Sequence, residues 1–368
     1  MELISLFFLL IYSSLVLIMI YGWNKPAMKE SPDNIKVTVS VIVAFRNEQK
    51  HFPGLIKNLY LQDYPQDQIE IIFINDHSSD LSLKMIQEHD KQHLVQVLEL
   101  SKNQQGKKQA IAKGIAHAKG DLILLTDADC SFSASWIRSM VDAWKTTNSK
   151  LILGPVRYSS PKNIAQHLFN LDFMSLTGAG AALANAGQPI MGNAANLLVQ
   201  RECFPKTGDA LMPSESSGDD VFLIHHLKKQ GASSISFLKD PGCIVDTESP
   251  MNIKEFIQQR IRWASKSKNY RDTQSILVAA VIFLFNSYLL IMPFFILFQG
   301  KSFLWLVLLL GTKSLLDFFF LYPIARFYGH QKSLLWLIPA NLLYPFYIVF
   351  TAFRAWWGRF SWKDRQYP

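Results

Sequence analysis

The sequence predicts an α/β domain with a parallel sheet, flanked at both ends by apolar helices that cross or lie on a membrane. Two observations lead to this fold class. The middle of the chain alternates short, β-branched apolar runs with segments of helical spacing, which is typical of parallel α/β sheets. The longest apolar blocks lie outside this region, one near the start of the chain and three near its end.

The first apolar block, Leu3–Tyr21, carries no charge and is long enough to cross a hydrocarbon core, which takes about 20 helical residues. A cleaved signal peptide is the alternative, but no basic residue precedes the block and no small-x-small cleavage site follows it. We therefore predict a retained membrane anchor over residues 1–23. Lys25 and Lys29 follow it, so we expect its C-terminal end to face the cytoplasm.

Three further apolar blocks predict C-terminal membrane helices over residues 274–354, followed by a basic tail over 355–368. The blocks are Ile276–Phe298, Phe303–Tyr322 and Leu334–Phe353. Three full crossings would place the basic tail outside the cytoplasm, against the positive-inside rule. We therefore expect two crossings, with one block interfacial or re-entrant, and prolines in the last block favour an irregular segment.

The formal net charge of +8 has a local explanation, because basic residues flank the apolar blocks. They are Arg260, Arg262, Lys266, Lys268 and Arg271 before the second block, and Arg354, Arg359, Lys363 and Arg365 after the last. Such flanks mark the anionic, cytoplasmic leaflet. Nothing resembles a module that reads RNA or DNA, so we expect no nucleic-acid partner.

The three cysteines are odd in number and widely spaced, which fits a reduced cytosolic compartment without a disulfide framework. Together with the basic flanks, they predict a multi-pass protein of the inner (cytoplasmic) membrane whose middle domain is cytoplasmic. In the third apolar block, Lys313 and Asp317 are spaced i,i+4, and we expect them to pair with each other rather than to line an ion path.

The middle domain, predicted over residues 36–270, contains three strands and three helices that the pattern places clearly. The strands are Val37–Ala44, Ile69–Ile74 and Leu122–Leu125, and the helices are His51–Gln62, Leu81–His89 and Lys108–Lys119. Ligands of open α/β sheets bind beyond the carboxyl ends of the strands. The residues that directly follow each strand are therefore the candidate site.

Acidic residues follow all three predicted strands. Glu48 comes after the first, Asp76 and Asp80 after the second, and Asp127 and Asp129 after the third. Each alone is compatible with helix capping, and for Asp80 both interpretations remain open. Acids that converge on one place repel each other unless a cation neutralises them. We therefore predict that Asp127 and Asp129 bind Mg²⁺ or Mn²⁺, which leave coordination positions for phosphate oxygens.

Lys107 follows Gly106 and begins a helical segment in "GKKQA". A lysine beside a helix N-terminus is a favourable environment for phosphate. The alternative is a solvated surface lysine. The acids and this lysine together predict a phosphorylated ligand held by a divalent metal.

Five motifs now occur in a recognisable order: "VSVIVAFRNE", "INDHSSD", "GKKQAIAKGIAHAKGDLILLTDADC", "SGDDVFL" and "QRIRW". Over residues 37–265 they resemble the family 2 inverting glycosyltransferases of the GT-A fold, the Rossmann-like fold of nucleotide-diphospho-sugar transferases. The resemblance implies a pocket for the nucleotide-sugar donor and a pair of carboxylates that bind a metal ion. The donor residues would be Ala44, Arg46, Glu48, Asp76, Lys107 and Asp127, and the metal ligands Asp127 and Asp129. Asn75 stands where many members have an acid.

The resemblance also implies catalytic and acceptor residues. Asp220 matches the proposed general base, and Gln259, Arg262 and Trp263 match the Gln-x-x-Arg-Trp motif of cellulose-, chitin- and hyaluronan-type synthases and of some lipid glycosyltransferases. Trp263 is equally compatible with an aromatic at the membrane interface. On the acceptor side the matching residues are Gly192 and Asn193 in "IMGNAANLLVQRECF", and Asp219, which stands where Glu is commoner.

The resemblance therefore implies a membrane-associated, metal-dependent inverting glycosyltransferase. It would move a sugar from a nucleotide sugar to a lipid-linked or other membrane-proximal acceptor, and we expect the donor to be a UDP-sugar. A processive polysaccharide synthase and a non-catalytic nucleotide-binding membrane protein are the alternatives. A nucleotidyltransferase is disfavoured, because its Gly-rich loop is missing from "FRNEQK".

Overall fold

The computed structural model describes residues 2–25, 36–204, 219–299, 303–357, 360–362 and 365–367. The chain forms two compact units. The helical unit comprises Met1–Lys25, Ser160–Ala186 and Ser249–Pro368, and the sheet unit comprises Pro26–Ser159 and Gly187–Glu248.

The sheet unit is built on a seven-stranded sheet of order β3-β2-β1-β4-β8-β6-β9. Its strands are β1 (Val39–Phe45), β2 (Ile69–Asn75), β3 (Val95–Glu99), β4 (Leu122–Asp127), β6 (Leu151–Leu153), β8 (Leu197–Gln200) and β9 (Ile235–Phe237). The predicted α/β sheet is confirmed, with one difference. Strand β8 runs antiparallel to both β4 and β6, so the sheet is mixed.

A second, three-stranded sheet of order β5-β10-β7 lies in the same unit. It consists of β5 (Ser131–Phe132), β7 (Val156–Tyr158) and β10 (Val245–Thr247). These strands have only two or three residues each, too few for an alternation of side chains to predict them from sequence.

The central strands are buried, which explains their continuous apolar runs. Parallel pairing aligns their carboxyl ends, because Ala44 of β1 is in register with Ile74 of β2 and with Asp127 of β4. Strand β4 extends beyond the predicted Leu122–Leu125, and Thr126 pairs with Val43. The first acid of the Asp-x-Asp pair is therefore the last residue of a central strand.

The helices of the sheet unit are α2 (Phe52–Tyr60), α3 (Ser82–His89), α4 (Lys107–His117), α5 (Trp136–Thr147) and α7 (Asp219–Lys228). The first three lie where the sequence predicts them, with ends shifted by one or two residues. Helix α4 lies close to the sheet, since a Cβ on its Gly114 would come within 2.7 Å of Ile74 and 2.8 Å of Ile42. Gly106 precedes it with a φ of +94°, a conformation that favours glycine.

The helical unit contains α1 (Glu2–Trp23), α6 (Ile164–Asn185), α8 (Ile253–Ser265), α9 (Thr273–Gln299), α10 (Leu304–Tyr328) and α11 (Leu337–Trp357). The predicted domain 36–270 does not coincide with a single unit, because α6 and α8 group with the apolar helices. Helices α1 and α6 approach closely: a Cβ on Gly22 would lie 1.9 Å from the carbonyl oxygen of Ala182.

Within the described residues, four helices are long and apolar enough to cross a membrane. They are Glu2–Trp23, Thr273–Phe298, Leu304–Tyr328 and Gln331–Trp356. The last block has no break at its second proline, because Pro345 lies inside α11. The number of crossings and the side of the membrane that each unit faces stay predictions.

A polar cluster lies inside the helical unit, where the expected pairing of Lys313 with Asp317 is confirmed. Lys313 Nζ donates to Asp317 Oδ2 and to Asn341 Oδ1, both at 2.6 Å. Tyr12 donates its hydroxyl proton to Asp317. The cluster joins α1, α10 and α11, and it gives the buried charges the partners that an apolar surrounding requires.

The predicted basic tail, 355–368, begins within the end of α11. Beyond it the backbone forms β11 (Phe360–Trp362) and β12 (Arg365–Tyr367), which pair antiparallel. No sequence pattern predicts this hairpin.

Candidate functional site

The carboxyl edge of the central strands brings together the acids that the sequence predicts there. Asp76 directly follows β2, and its N–H donates to the carbonyl oxygen of Phe45 on β1 at 2.9 Å. Asp127 ends β4 in register with Ala44. Both acids therefore lie at one edge of the sheet, at the ends of the two strands that flank β1.

Hydrogen bonds hold the loops after β1 and β2 together. The N–H groups of Asn47, Glu48 and Gln49 donate to Ser78 Oγ, Ser82 Oγ and Asp80 Oδ2 at 3.0, 2.8 and 3.1 Å. Asn47 Oδ1 in turn accepts from the N–H of Ser79 at 2.9 Å. Asp80 Oδ1 also accepts from the N–H and the hydroxyl of Ser82, the first residue of α3, at 3.0 and 2.5 Å. Asp80 therefore bonds to the start of this helix as well as to the loop after β1.

Arg46 also holds these two loops together. Its Nη1 donates to the carbonyl oxygens of Asp76 and His77 at 2.8 and 2.9 Å. His77 has a φ of +53° and its Nε2 bonds the carbonyl oxygen of Gln104 at 2.8 Å. The guanidinium thus shapes the β2–α3 loop, and direct contact of Arg46 with a ligand stays a prediction.

Lys107 and the start of α4 join the two acids. The N–H of Gly106 donates to Asp76 Oδ2 at 3.1 Å, and Lys107 Nζ lies 2.6 Å from Asp127 Oδ1. The next residue, Lys108, is buried with its ammonium 4.8 Å from the ring centroid of Phe222 on α7. Lys107 is thus not merely a solvated surface residue, and the edge carries a fixed positive charge beside its carboxylates.

Asp129 lies in a negative environment. Burial raises the pKa of its carboxyl, and the charges of Asp127 and Glu48 raise this pKa further. The hydroxyl of Thr247 donates to Asp129 Oδ2 at 3.1 Å. A divalent cation between these oxygens would stabilise the ionised form of the cluster.

The donor set fits a metal ion that is shared with a phosphorylated ligand. In the described ranges, no group of three or more His, Cys, Asp and Glu side chains has the arrangement to hold a metal by itself. Mg²⁺ and similar ions are commonly bound by one or two carboxylates, with water and substrate phosphates completing the shell. Asp127 and Asp129 provide such a pair of carboxylates.

Further side chains that contact the acids at this edge were not predicted from the sequence. His51 Nδ1 lies 2.7 Å from Glu48 Oε2, and His51 Nε2 lies 3.4 Å from Glu248 Oε1. The hydrogen bond with Glu48 raises the pKa of His51. Glu248 and Thr247 come from the end of β10, far along the chain, and only the fold brings them here.

Asp220 lies in the first turn of α7, and its Oδ1 accepts from the N–H of Val221 at 2.8 Å. Gly192 packs next to this helix, because a Cβ there would lie 3.0 Å from Ile224 and 2.9 Å from Leu153. Asn193 Oδ1 accepts from the N–H of Ala195 at 3.0 Å. The side chain of Asp219 and residues 205–218 lie outside the described residues. The acceptor-side roles of Gly192, Asn193 and Asp219 stay predictions.

Gln259, Arg262 and Trp263 lie on α8, in the helical unit. The arginine that stacks on Trp263 is Arg260, with its Cζ 4.3 Å from the ring centroid. Arg260 Nε also lies 2.5 Å from Asp172 Oδ2 on α6. The sequence predicts Arg260 as one of the basic residues that flank the second apolar block, whereas the structure buries it. Its i,i+3 spacing to Trp263 places both on one helix face.

The cysteines Cys130, Cys203 and Cys243 are all buried free thiols. Burial raises the pKa of each, so all three thiols are neutral at physiological pH. They form no disulfide framework, as the sequence predicts.

Comparison with known families gives two matches. Residues 40–184 match Glycosyl transferase family 2, and residues 122–322, more than half of the chain, match Glycosyl transferase family group 2. The predicted resemblance to this family is confirmed.

Two curated relatives are similar to parts of the chain. The first, dolichyl N-acetyl-alpha-D-glucosaminyl phosphate 3-beta-D-2,3-diacetamido-2,3-dideoxy-beta-D-glucuronosyltransferase of Methanococcus voltae, is 22% identical over 233 residues, 62% of this chain and 72% of the relative. The second, poly(ribitol-phosphate) beta-N-acetylglucosaminyltransferase TarS of Staphylococcus aureus, is 21% identical over 201 residues, 55% of this chain. The match spans only 34% of the length of TarS.

Among solved structures, the mannosyltransferase PcManGT of Pyrobaculum calidifontis, determined with GDP-Man and Mn²⁺, is similar at a TM-score of 0.58. The identity is 19%, and the match covers 92% of this chain and 95% of the other. At this identity the similarity establishes the fold, a GT-A-like α/β sheet with apolar helices.

Proposed function

Because the chain belongs to Glycosyl transferase family 2, we propose that it transfers a sugar from a nucleotide-sugar donor to a lipid-linked or other membrane-proximal acceptor. One observation carries the proposal. The carboxyl edge of the sheet places Asp76, Lys107 and Asp127 in one connected cluster, with the N-terminus of α4 beside it. Acids for a metal and a lysine for phosphate are what a nucleoside diphosphate requires.

The donor-binding residues would act on the diphosphate. Asp127 and Asp129 would hold Mn²⁺ or Mg²⁺, which when bound supplies a Lewis acid beside the leaving phosphate. Lys107 and the start of α4 add fixed positive charge at the same place. The loop of Ala44 to Glu48 and Asp76 would hold the nucleoside, since the two loops after β1 and β2 are fastened to each other.

Asp220 is the proposed general base. It would accept the proton of the acceptor hydroxyl as that oxygen bonds the anomeric carbon. The bond from this carbon to the β-phosphate oxygen breaks in the same displacement, and the nucleoside diphosphate leaves. One such displacement inverts the anomeric carbon without a covalent intermediate on the enzyme. A positioned base contributes about 10²- to 10⁴-fold to the rate.

The helical unit and the relatives support the choice of acceptor class. The part of the chain that the structure describes has four helices long and apolar enough to cross a membrane, and the relative from Methanococcus voltae has dolichyl and phosphate in its name. A lipid-linked acceptor at the cytoplasmic face of the inner membrane is therefore our first candidate. We take a UDP-sugar as the first donor to test and GDP-Man, bound by PcManGT, as the second.

A processive polysaccharide synthase is the second candidate, favoured by the match of Gln259, Arg262 and Trp263 to the motif of such enzymes. Product length distinguishes the two. A single-transfer enzyme yields a lipid carrying one added sugar, whereas a synthase yields a ladder of chain lengths.

The test is a donor screen on the detergent-solubilised full chain with extracted membrane lipids and Mn²⁺, read out as nucleoside diphosphate release and product mass. We expect turnover in the wild type and in the control Asp67→Asn, an exposed acid in the same unit. Asp127→Asn and Asp220→Asn should lose turnover, and only Asp220→Asn should keep nucleotide affinity. Absence of product with every donor, together with nucleotide binding, would instead favour the non-catalytic alternative.

A further inference from the structure

The hydroxyl of Thr247 is a hydrogen-bond partner of Asp129 that the sequence did not predict. Its Oγ1 donates to Asp129 Oδ2 at 3.1 Å, although 118 residues separate the two in the chain. A hydroxyl that donates to one carboxylate oxygen fixes the rotation of the carboxylate. The other oxygen, Oδ1, has a long contact of 3.8 Å with Cys130 Sγ.

The fold determines the direction in which Thr247 points. Strand β10 pairs with β5, the short strand that begins two residues after Asp129, so that Val245 is opposite Phe132 and Asp246 opposite Ser131. Side chains alternate along a strand, so Thr247 and Asp246 point to opposite faces. Asp246 is held on its own face by Arg157, whose Nε and Nη2 lie 2.6 and 3.2 Å from its two carboxylate oxygens.

The backbone of Thr247 is also fixed. Its carbonyl oxygen accepts from the N–H of Ser159 at 2.9 Å, and the residue is paired with Tyr158 on β7. The following Glu248 lies 3.0 Å from Lys50 Nζ and 3.4 Å from His51 Nε2. Both sequence neighbours of Thr247 are therefore bonded to other elements, and these bonds help to fix the position of its hydroxyl beside Asp129.

From these contacts we propose that Thr247 is a positioning residue for the metal-binding carboxylate Asp129. The inference rests on the proposed function, because it takes Asp129 to be a metal ligand. Thr247 would hold Oδ2 by its hydrogen bond and leave Oδ1 available to a cation. Partners that orient a metal ligand in this way commonly change metal affinity by about 10- to 100-fold when they are removed.

The matched variants are Thr247→Val, which keeps the shape and removes the hydroxyl, and Thr247→Ser, which keeps the hydroxyl. Thr146→Val is the control for hydroxyl loss elsewhere in the unit, because Thr146 Oγ1 donates only within α5, to the carbonyl oxygen of Asp142 at 2.8 Å. The full chain in detergent is titrated with Mn²⁺ alone and with Mn²⁺ and UDP, and free Mn²⁺ is read from its electron paramagnetic resonance signal.

We expect Thr247→Val to weaken Mn²⁺ binding about tenfold or more, whereas Thr247→Ser and Thr146→Val stay within about threefold of wild type. In turnover, Thr247→Val should raise the Mn²⁺ concentration for half-maximal rate and recover most of its rate at saturating Mn²⁺. A general loss of structure would lower the rate at every Mn²⁺ concentration.

Two results would overturn the inference, and only the second would also overturn the proposed function. If the wild type binds Mn²⁺ and Thr247→Val binds it equally well, Thr247 has no positioning role and the proposed function stands. If the wild type binds no Mn²⁺ with or without nucleotide, the metal-dependent function fails together with the inference.

Discussion

Lys107 Nζ lies 2.6 Å from Asp127 Oδ1, so a cation of the chain itself contacts the first acid of the Asp-x-Asp pair. Asp127 is the last residue of a central strand, and Lys107 is the first residue of α4. Under the proposed function, ligand binding would rearrange this ion pair: a metal would take the carboxylate of Asp127 and leave the ammonium of Lys107 to phosphate oxygens.

This relationship predicts opposite effects of Lys107→Met on two ligands. Affinity for UDP with Mn²⁺ should fall about 10- to 100-fold, since a hydrogen bond to a charged group contributes about 1.5–3 kcal/mol. Affinity for Mn²⁺ alone should stay level or rise, because Asp127 loses a competing cation. Isothermal titration calorimetry measures both.

Two controls accompany this prediction. Lys107→Arg keeps the charge and should retain most of the UDP affinity. Lys84→Met removes an exposed lysine that pairs with Glu88 on α3, and should change the affinity for neither ligand. Unchanged UDP affinity in Lys107→Met would show that the ammonium of Lys107 does not contact the diphosphate.

The second prediction concerns Gly154 and the buried Asn196. Asn196 is fully buried, donates to the carbonyl oxygens of Pro155 and Cys243 at 3.0 and 2.8 Å, and accepts from Trp136 Nε1 at 2.9 Å. A Cβ on Gly154 would lie 2.2 Å from its amide nitrogen. Gly154→Ala should displace the amide and cost roughly 1–3 kcal/mol for each buried polar group left without a partner.

Gly54→Ala is the matched control for this glycine. Gly54 lies inside α2 with nothing within 4 Å of an added Cβ, so the substitution should stabilise the helix by about 0.5–1 kcal/mol. Thermal unfolding in detergent should therefore shift down for Gly154→Ala and up for Gly54→Ala. Equal midpoints for the two variants would contradict the packing described for Asn196.

The third prediction concerns the buried ion pair of the helical unit. The Arg260 and Asp172 side chains are only 3% and 7% exposed, and Arg260 also stacks on Phe256 and Trp263. Arg260→Met alone should destabilise by about 3–5 kcal/mol, because it leaves a buried carboxylate without its partner. Combining it with Asp172→Leu should recover much of that loss.

An exposed pair provides the comparison. Arg138 and Asp63 have side chains that are 48% and 65% exposed, so Arg138→Met should cost far less stability than Arg260→Met. Unfolding midpoints of the single and double variants test this as a double-mutant cycle. Strictly additive losses for Arg260→Met and Asp172→Leu would mean that the two side chains are not energetically coupled.

The sequence predicts the central part of the fold and site because both depend on short stretches of chain. The run that ends in Asp127 is apolar throughout, and parallel strands place their carboxyl ends at one edge, so Asp76 and Asp127 could be placed together without a structure. The start of α4 at Lys107 follows from Gly106 and the helical spacing after it.

The rest depends on register between distant segments. Thr247 reaches Asp129 because the three-residue strand β10 pairs with the two-residue strand β5, and neither is long enough to show a pattern. Helix α6 has an apolar, small-residue composition, but it buries the polar Asn170 and Asp172. A sequence pattern therefore does not show that it groups with the apolar helices rather than with the sheet.

The fourth prediction is a pH dependence of stability at Asp121, which precedes β4. Its Oδ2 accepts from the hydroxyl and the N–H of Thr38 at 2.7 and 3.1 Å, and these bonds lower the pKa of the carboxyl. A lowered pKa in the folded state means that the ionised carboxylate stabilises the fold above the unfolded pKa of about 3.9. This contribution is lost as the pH falls through the folded-state pKa.

Thr38→Val should therefore be less stable than wild type at pH 7, and the difference should narrow as the pH falls below about 4. The carboxylate is largely exposed, so the difference at pH 7 should stay below about 1 kcal/mol. Thr38→Ser keeps the hydroxyl and should follow wild type throughout. Denaturant unfolding at a series of pH values measures the difference, and a gap that stays constant from pH 7 to 3 would mean that the hydrogen bond does not depend on the charge of Asp121.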